Sequence, residues 1–160
     1  MAILTDSGRT AVATAILARP IHLAWGEGDV AWDVTPVPET PDISSLVAEV
    51  GRRKVTQALY CKPDPAGELV VTEGRFTVSS APTKYLYLRF AFDFDDAADK
   101  TIRELAVISG TTAKPTVSAS QDYLFPDDRQ DSGQLLVLER IQKLVCSPQV
   151  RQQFEFVVQF

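Results

Sequence analysis

The residues able to do chemistry fall into three sets. The first is small: one histidine, His22, and two cysteines, Cys61 and Cys146. A transition-metal centre needs several such ligands converging, so this inventory excludes one. A Ser-His-Asp triad would have to use the same His22, and no serine sits in a nucleophile-elbow glycine pattern. His22 is flanked by Ile21 and Leu23, which makes it a hydrogen-bonded structural residue. The second set is acidic: Asp93, Asp95, Asp96, Asp99 and Glu104. Counting Asp93 as the first position of a calcium loop puts oxygen ligands at Asp93, Asp95, Asp99 and Glu104. Ala98, however, stands where the sharp turn calls for glycine, and strands flank the loop, so a solvated turn is the better reading. Nothing places two of these carboxylates across a cleft, as a glycosidase requires. The third set is aromatic. Trp25, Trp32, Tyr85 and Tyr87 are the rings expected to be partly exposed, as anchors at a protein interface or platforms for a sugar, unless they simply cover the core's edges. Between them, Gly26-Glu27-Gly28 lacks the further glycine and lysine of a phosphate loop. No nucleophile, base and oxyanion pattern assembles, so the chain reads as a non-enzyme with no cofactor.

The element that must organise these residues is Lys84 to Asp95, KYLYLRFAFDFD. Leu86, Leu88, Phe90, Phe92 and Phe94 alternate with Tyr85, Tyr87, Arg89, Ala91, Asp93 and Asp95. A period of two is the mark of a strand, here with one large apolar face and one mixed face. Such a strand belongs in the middle of an antiparallel sheet, packed on one side and meeting water or another subunit on the other.

Before it, Thr5 or Asp6 caps a helix over 7–18, with Leu4, Gly8, Ala11, Val12, Ala15 and Ile16 at helical spacing, until Pro20 stops it. Ile21, Leu23 and Trp25 alternate in a strand that ends at the glycine turn. The stretch 26–41 is rich in proline and acidic residues. Pro36, Pro38 and Pro41 favour an extended, exposed loop and a contact surface. A second short helix is expected over 42–50, through Ile43, Leu46, Val47 and Val50, closed by Gly51. Everything from 52 to 160 reads as β. Strands are expected over 53–61, over 68–72 with 75–79 (one strand interrupted at Glu73-Gly74), over 101–109, over 134–146 and over 150–160. The segment 110–122 reads as an exposed loop. The fold class is therefore α+β, mainly an antiparallel β-sandwich or open barrel with one or two short N-terminal helices.

At 160 residues the chain is about one domain, able to remove roughly 70% of its unfolded surface from water. The cysteines lie outside any CxxC spacing and are expected as reduced, partly buried thiols in a chain made in a reducing cytoplasm. No apolar run approaches the ~20 residues that span a bilayer, so no membrane partner is expected. Net charge is -5, and the basic residues are scattered apart from Arg52, Arg53 and Lys54, which read as a solvated strand start. Nucleic-acid binding, which leans on a concentrated basic face, is not expected.

The opening AILTDSGRTAVATAI, followed by IHLAWGEGD, resembles the start of small tail proteins of tailed bacteriophages and prophages, and the virion-attached end of tail-collar fibre proteins. The matching residues are Leu4, Thr5, Asp6, Gly8, Trp25, Gly26, Gly28 and Asp29. The stretches LYLRFAFDFDDA, TIRELAVISGT, QLLVLERI and VRQQFEFVVQF are similar to β segments of the same group. The resemblance implies a structural role without catalysis in the virion tail, at a baseplate or fibre attachment point, after synthesis in the host bacterial cytoplasm. Its implied partners are other tail or baseplate proteins and further copies of the chain. The candidate contact residues are Trp25, Gly26, Gly28, Asp29, Trp32, Tyr85, Tyr87 and the terminal Phe160. The alternative is a carbohydrate-binding β-sandwich for host-surface recognition, with Trp25, Trp32, Tyr85 and Tyr87 as stacking platforms.

Overall fold

A computed structural model describes all 160 residues, Met1 to Phe160. The chain runs through helix α1 (Asp6–Leu17) and strands β1 (Ile21–Gly26), β2 (Glu49–Lys54), β3 (Gln57–Pro63), β4 (Leu69–Val71), β5 (Gly74–Val78) and β6 (Tyr85–Ala91). Strands β7 (Thr101–Ser109), β8 (Thr112–Ala113), β9 (Tyr123–Leu124), β10 (Arg129–Asp131), β11 (Gln134–Val145) and β12 (Gln153–Gln159) follow. The strand pairs are antiparallel, and the α+β class expected from the sequence holds. No helix is long and apolar enough to cross a membrane. The chain forms two compact units, one of Met1–Arg19, Val55–Phe90 and Gln153–Phe160, the other of Pro20–Lys54 and Ala91–Gln152.

In the first unit, Thr5 is extended and its hydroxyl accepts the Gly8 N–H at 3.1 Å, which caps α1. The helix packs through fully buried Ala13 and half-buried Ile16 and Leu17. Of the expected inner face, Gly8 and Ile16 are half-buried, whereas Leu4, Ala11, Val12 and Ala15 lie outside. The small Ala13 allows close approach, and Tyr60 Oη–H donates to Thr14 beside it. The sheet runs β12-β6-β3-β5-β4, with β12 meeting β4 so that it is an almost closed barrel. β6 occupies a central place, as its alternation requires, but ends at Ala91 rather than Asp95. Both of its faces are lined: Leu86, Leu88 and Phe90 are buried on one, and Tyr87 is 3% exposed on the other among Cys61 and Phe76. The expected single interrupted strand over 68–79 is instead a hairpin. Gly74 at φ +135° takes a backbone conformation open essentially only to glycine, and this lets β5 fold back on β4.

In the second unit the sheet runs β11-β7-β1-β2-β9, beside a small β10-β8 pair. All six residues of β1 are buried, so both faces of this sheet are covered. On one face Trp25 stacks on Phe92 at 3.7 Å and its indole N–H donates to the Tyr123 hydroxyl at 2.8 Å. On the other, Leu46 packs with Ala24, Ala106 and Ile108. That packing explains why the helix expected over 42–50 is absent. Leu46 is drawn across the sheet, and the Val47 and Ala48 N–H groups donate to the Glu104 carboxylate at 2.7 and 3.2 Å instead of to helical carbonyls. From Glu49 the chain is already β2, with Gly51 opposite Trp25.

Arg52 corrects the solvated-start reading. Only 2% exposed, it donates to both Glu49 oxygens, Thr111 Oγ1 and the Ser132 carbonyl. Arg53 reaches Asp93 and Asp96 at 2.8 Å. The expected loop over 110–122 contains β8, and most of its remaining residues are exposed.

Candidate functional site

The residues singled out from the sequence do not form one site. Gly26, Gly28, Asp29 and Trp32 come together at the head of the loop that leaves β1. Gly26 closes β1 where the register slips against β2, and a side chain there would collide with Glu104. Gly28, at φ +59°, lies so close to the Trp32 ring that no Cβ fits. Asp29 accepts the Ala31 N–H at 2.8 Å and caps a 3-10 turn, Val30–Asp33, which presents Trp32 and Asp33.

Two arginines from distant strands hold this loop. Arg103 on β7 grips Asp33 through Nε and Nη2, at 2.8 and 2.9 Å, and donates to the Glu27 carbonyl at 3.0 Å. These hydrogen bonds keep the Asp33 carboxyl below its ordinary pKa. Further along, Arg140 on β11 donates from Nη1 to the Val37 and Pro38 carbonyls at 2.8 and 3.0 Å. Its backbone N–H donates to Glu39 at 2.7 Å, which lowers the Glu39 pKa as well. Its guanidinium lies 4.3 Å from the centre of the Trp32 ring. Residues 36–40 are in no helix, strand or turn, as their prolines favour, and Arg140 straps them along β11.

Between strap and strand lies a cleft of about 570 Å³, walled by Trp32, Pro36 and Val37 on one side and Arg140, Ile141 and Lys143 on the other. β11 is an end strand of its sheet. Its pairing with β7 jumps from Arg140↔Glu104 to Leu144↔Ile102, so the strand bulges where it lines the cleft. Bulges commonly re-aim side chains at functional edges. Sequence reasoning missed Arg103, Arg140 and Lys143, because each looks like an ordinary polar position of a strand. Their only signal was a proline-rich loop that needed something to hold it.

The other sites behave differently. Trp25 and Tyr87, expected to be partly exposed, are 1% and 3% exposed, since each fills its own unit's core. Tyr85 is half-buried against Phe76, with Lys84 over its ring, and the Phe160 N–H donates to the Lys84 carbonyl. In the acidic turn Asp93 and Asp96 are paired with Arg53, Asp96 also accepts the Asp93 N–H, and Glu104 accepts the Val47 and Ala48 amides. No three histidine, cysteine or carboxylate side chains converge as a metal site. His22 is 5% exposed with Nδ1 unpartnered, which corrects the hydrogen-bonded reading of that nitrogen, and burial holds it neutral with a pKa of about 4.

The family model described as "Baseplate wedge 3 tail fiber network component" matches residues 1–160. No curated protein matches the chain.

Proposed function

The chain belongs to the family of baseplate wedge 3 tail fiber network components, and on that premise we propose that it is a non-catalytic adaptor of the phage tail, joining neighbours through its margins. A structural baseplate or tail-fibre component follows from the family itself. The adaptor role, the presence of more than one copy and residence in the finished virion are the finer reading. What carries it is the strapped loop Gly26–Pro41, with Val30, Val34 and Val37 exposed along it. Apolar side chains held outward on a fixed loop suit contact with another surface. The exposed segment 110–122 supplies a further margin. The likeness of Leu4–Gly8 and Trp25–Asp29 to the virion-attached end of collar fibres supports placement at an attachment point. The carbohydrate reading needs open aromatic faces, whereas Trp25 and Tyr87 are buried and Arg140 lies over Trp32.

The test is electron microscopy of particles carrying the chain with a compact label at Ala66, an exposed turn residue. Label density in the baseplate, repeated with its symmetry, is the expected result. Density in the head or tail tube, or particles lacking the chain, would overturn the reading.

A further inference from the structure

The cleft between the strap and β11 has the chemistry of a peptide site. We infer that it receives an extended segment of another tail protein, laid beside β11 at Ile141–Lys143, with an apolar side chain and an Asp or Glu a short step apart. This rests on the structural reading above and adds the chemistry of the partner.

Several observations select that occupant. Trp32, Pro36, Val37 and Ile141 give the cleft an apolar wall, and its volume of about 570 Å³ is within the range of clefts that enclose ligands. The charges in the lining do not cancel. Asp33 has both oxygens held by Arg103, while Lys143 is 60% exposed with a single contact to Asp33 at 3.6 Å. Arg140 Nε is buried with no hydrogen-bond partner. The lining therefore carries two cations against one carboxylate already engaged: Arg140 is spent on the Val37 and Pro38 carbonyls and the Trp32 ring, and Lys143 is the open one, within a chain of net charge -5. A carboxylate from outside complements it, through a charge-assisted hydrogen bond. Finally, the cleft floor is an end strand whose ladder with β7 is broken between Arg140 and Leu144. Backbone at a sheet edge pairs with an added strand, and alternate side chains of that strand then read the walls. Glu39 caps the Arg140 amide, which confines the pairing to residues after it.

The test uses assembled particles. A photo-crosslinking residue is placed at Gln142, exposed beside the cleft, and the captured peptide is read by mass spectrometry. The expected capture is a segment of a different tail protein with an Asp or Glu within two residues of the crosslink. Capture of a second copy of this chain, of a basic segment, or of nothing overturns the inference. In parallel, Lys143→Glu is expected to reduce incorporation at least fivefold, and Lys143→Arg to retain it, with circular dichroism unchanged for both. Lys143→Glu incorporated like the native chain overturns the charge argument. If the labelled native chain is found in the baseplate while Lys143→Glu assembles normally, only this inference falls. If the native chain is absent from particles, the structural reading falls first.

Discussion

His22 shows how one buried side chain ties stability to pH. Burial first, then the charges of Arg52 and Lys54, hold its pKa at about 4 against an ordinary 6.5. Between those values the unfolded chain binds a proton that the folded chain does not, so stability rises with pH across that window. The full shift corresponds to roughly 3 kcal/mol. Urea unfolding at pH 4.5 is therefore expected at a markedly lower midpoint than at pH 7, and His22→Gln should flatten that difference; an unchanged pH slope would place its origin elsewhere. Glu104 works in the opposite sense. Burial raises its pKa despite the two amides it accepts, so the stability tied to its proton is present at low pH and lost as pH rises through the folded value. Glu104→Gln keeps an acceptor for Val47 and Ala48 and removes the buried charge, so it is expected within about 1 kcal/mol of the native chain at pH 7, or more stable. Glu104→Ala strands both amides and should cost about 1–3 kcal/mol, read from the same unfolding curves.

At the scale of the element, the strap stands or falls by its arginines. Asp33 and Glu39 both have lowered pKa values, so their hold is complete above the ordinary carboxylate range and is lost only as pH falls through the lowered values. Arg103→Gln should loosen the loop at neutral pH. Hydrogen exchange at the Trp32, Val34 and Thr35 amides, which close the 3-10 turn, is expected to quicken at least tenfold while the β1 amides hold steady. Equal exchange in both proteins would mean that Arg103 is not what fixes the loop. The β4–β5 hairpin isolates backbone strain instead. A Cβ at Gly74 meets only Phe76 Cε2 at 4.0 Å, so Gly74→Ala should cost about 1–3 kcal/mol from its φ alone. These two elements also mark what the sequence could and could not disclose. α1, β1, β7, β11 and β12 were readable, because periodicity and flanking breakers are local. The strap's anchoring was not, since Asp33 and Arg103 lie 70 positions apart and nothing near either names the other. The helix expected over 42–50 failed likewise: Leu46, Val47 and Ala48 answer to Ala106 and Glu104, so tertiary packing overrode a plausible local pattern.

For the whole molecule, sequence order and spatial order are far apart. Each unit gathers segments from distant parts of the chain, and the first includes Gln153–Phe160. Within it β12 lies beside β6, where Phe156, 6% exposed, meets Phe90 edge-on at 6.2 Å and Val157 packs on the Cys61, Phe76 and Tyr87 cluster. The terminal strand is thus a wall of the unit. Removing it would uncover the edge of β6, whose apolar residues would then be open to pairing with other chains. A chain ending at Gln149 is accordingly expected to be poorly soluble and to be missing from particles. The point change Phe156→Ala should cost about 3–5 kcal/mol, with the β3 and β6 amides losing protection in hydrogen exchange. A truncated chain that stays soluble with β6 as protected as before would show that the unit closes without β12, and that this strand is held in reserve for a neighbour.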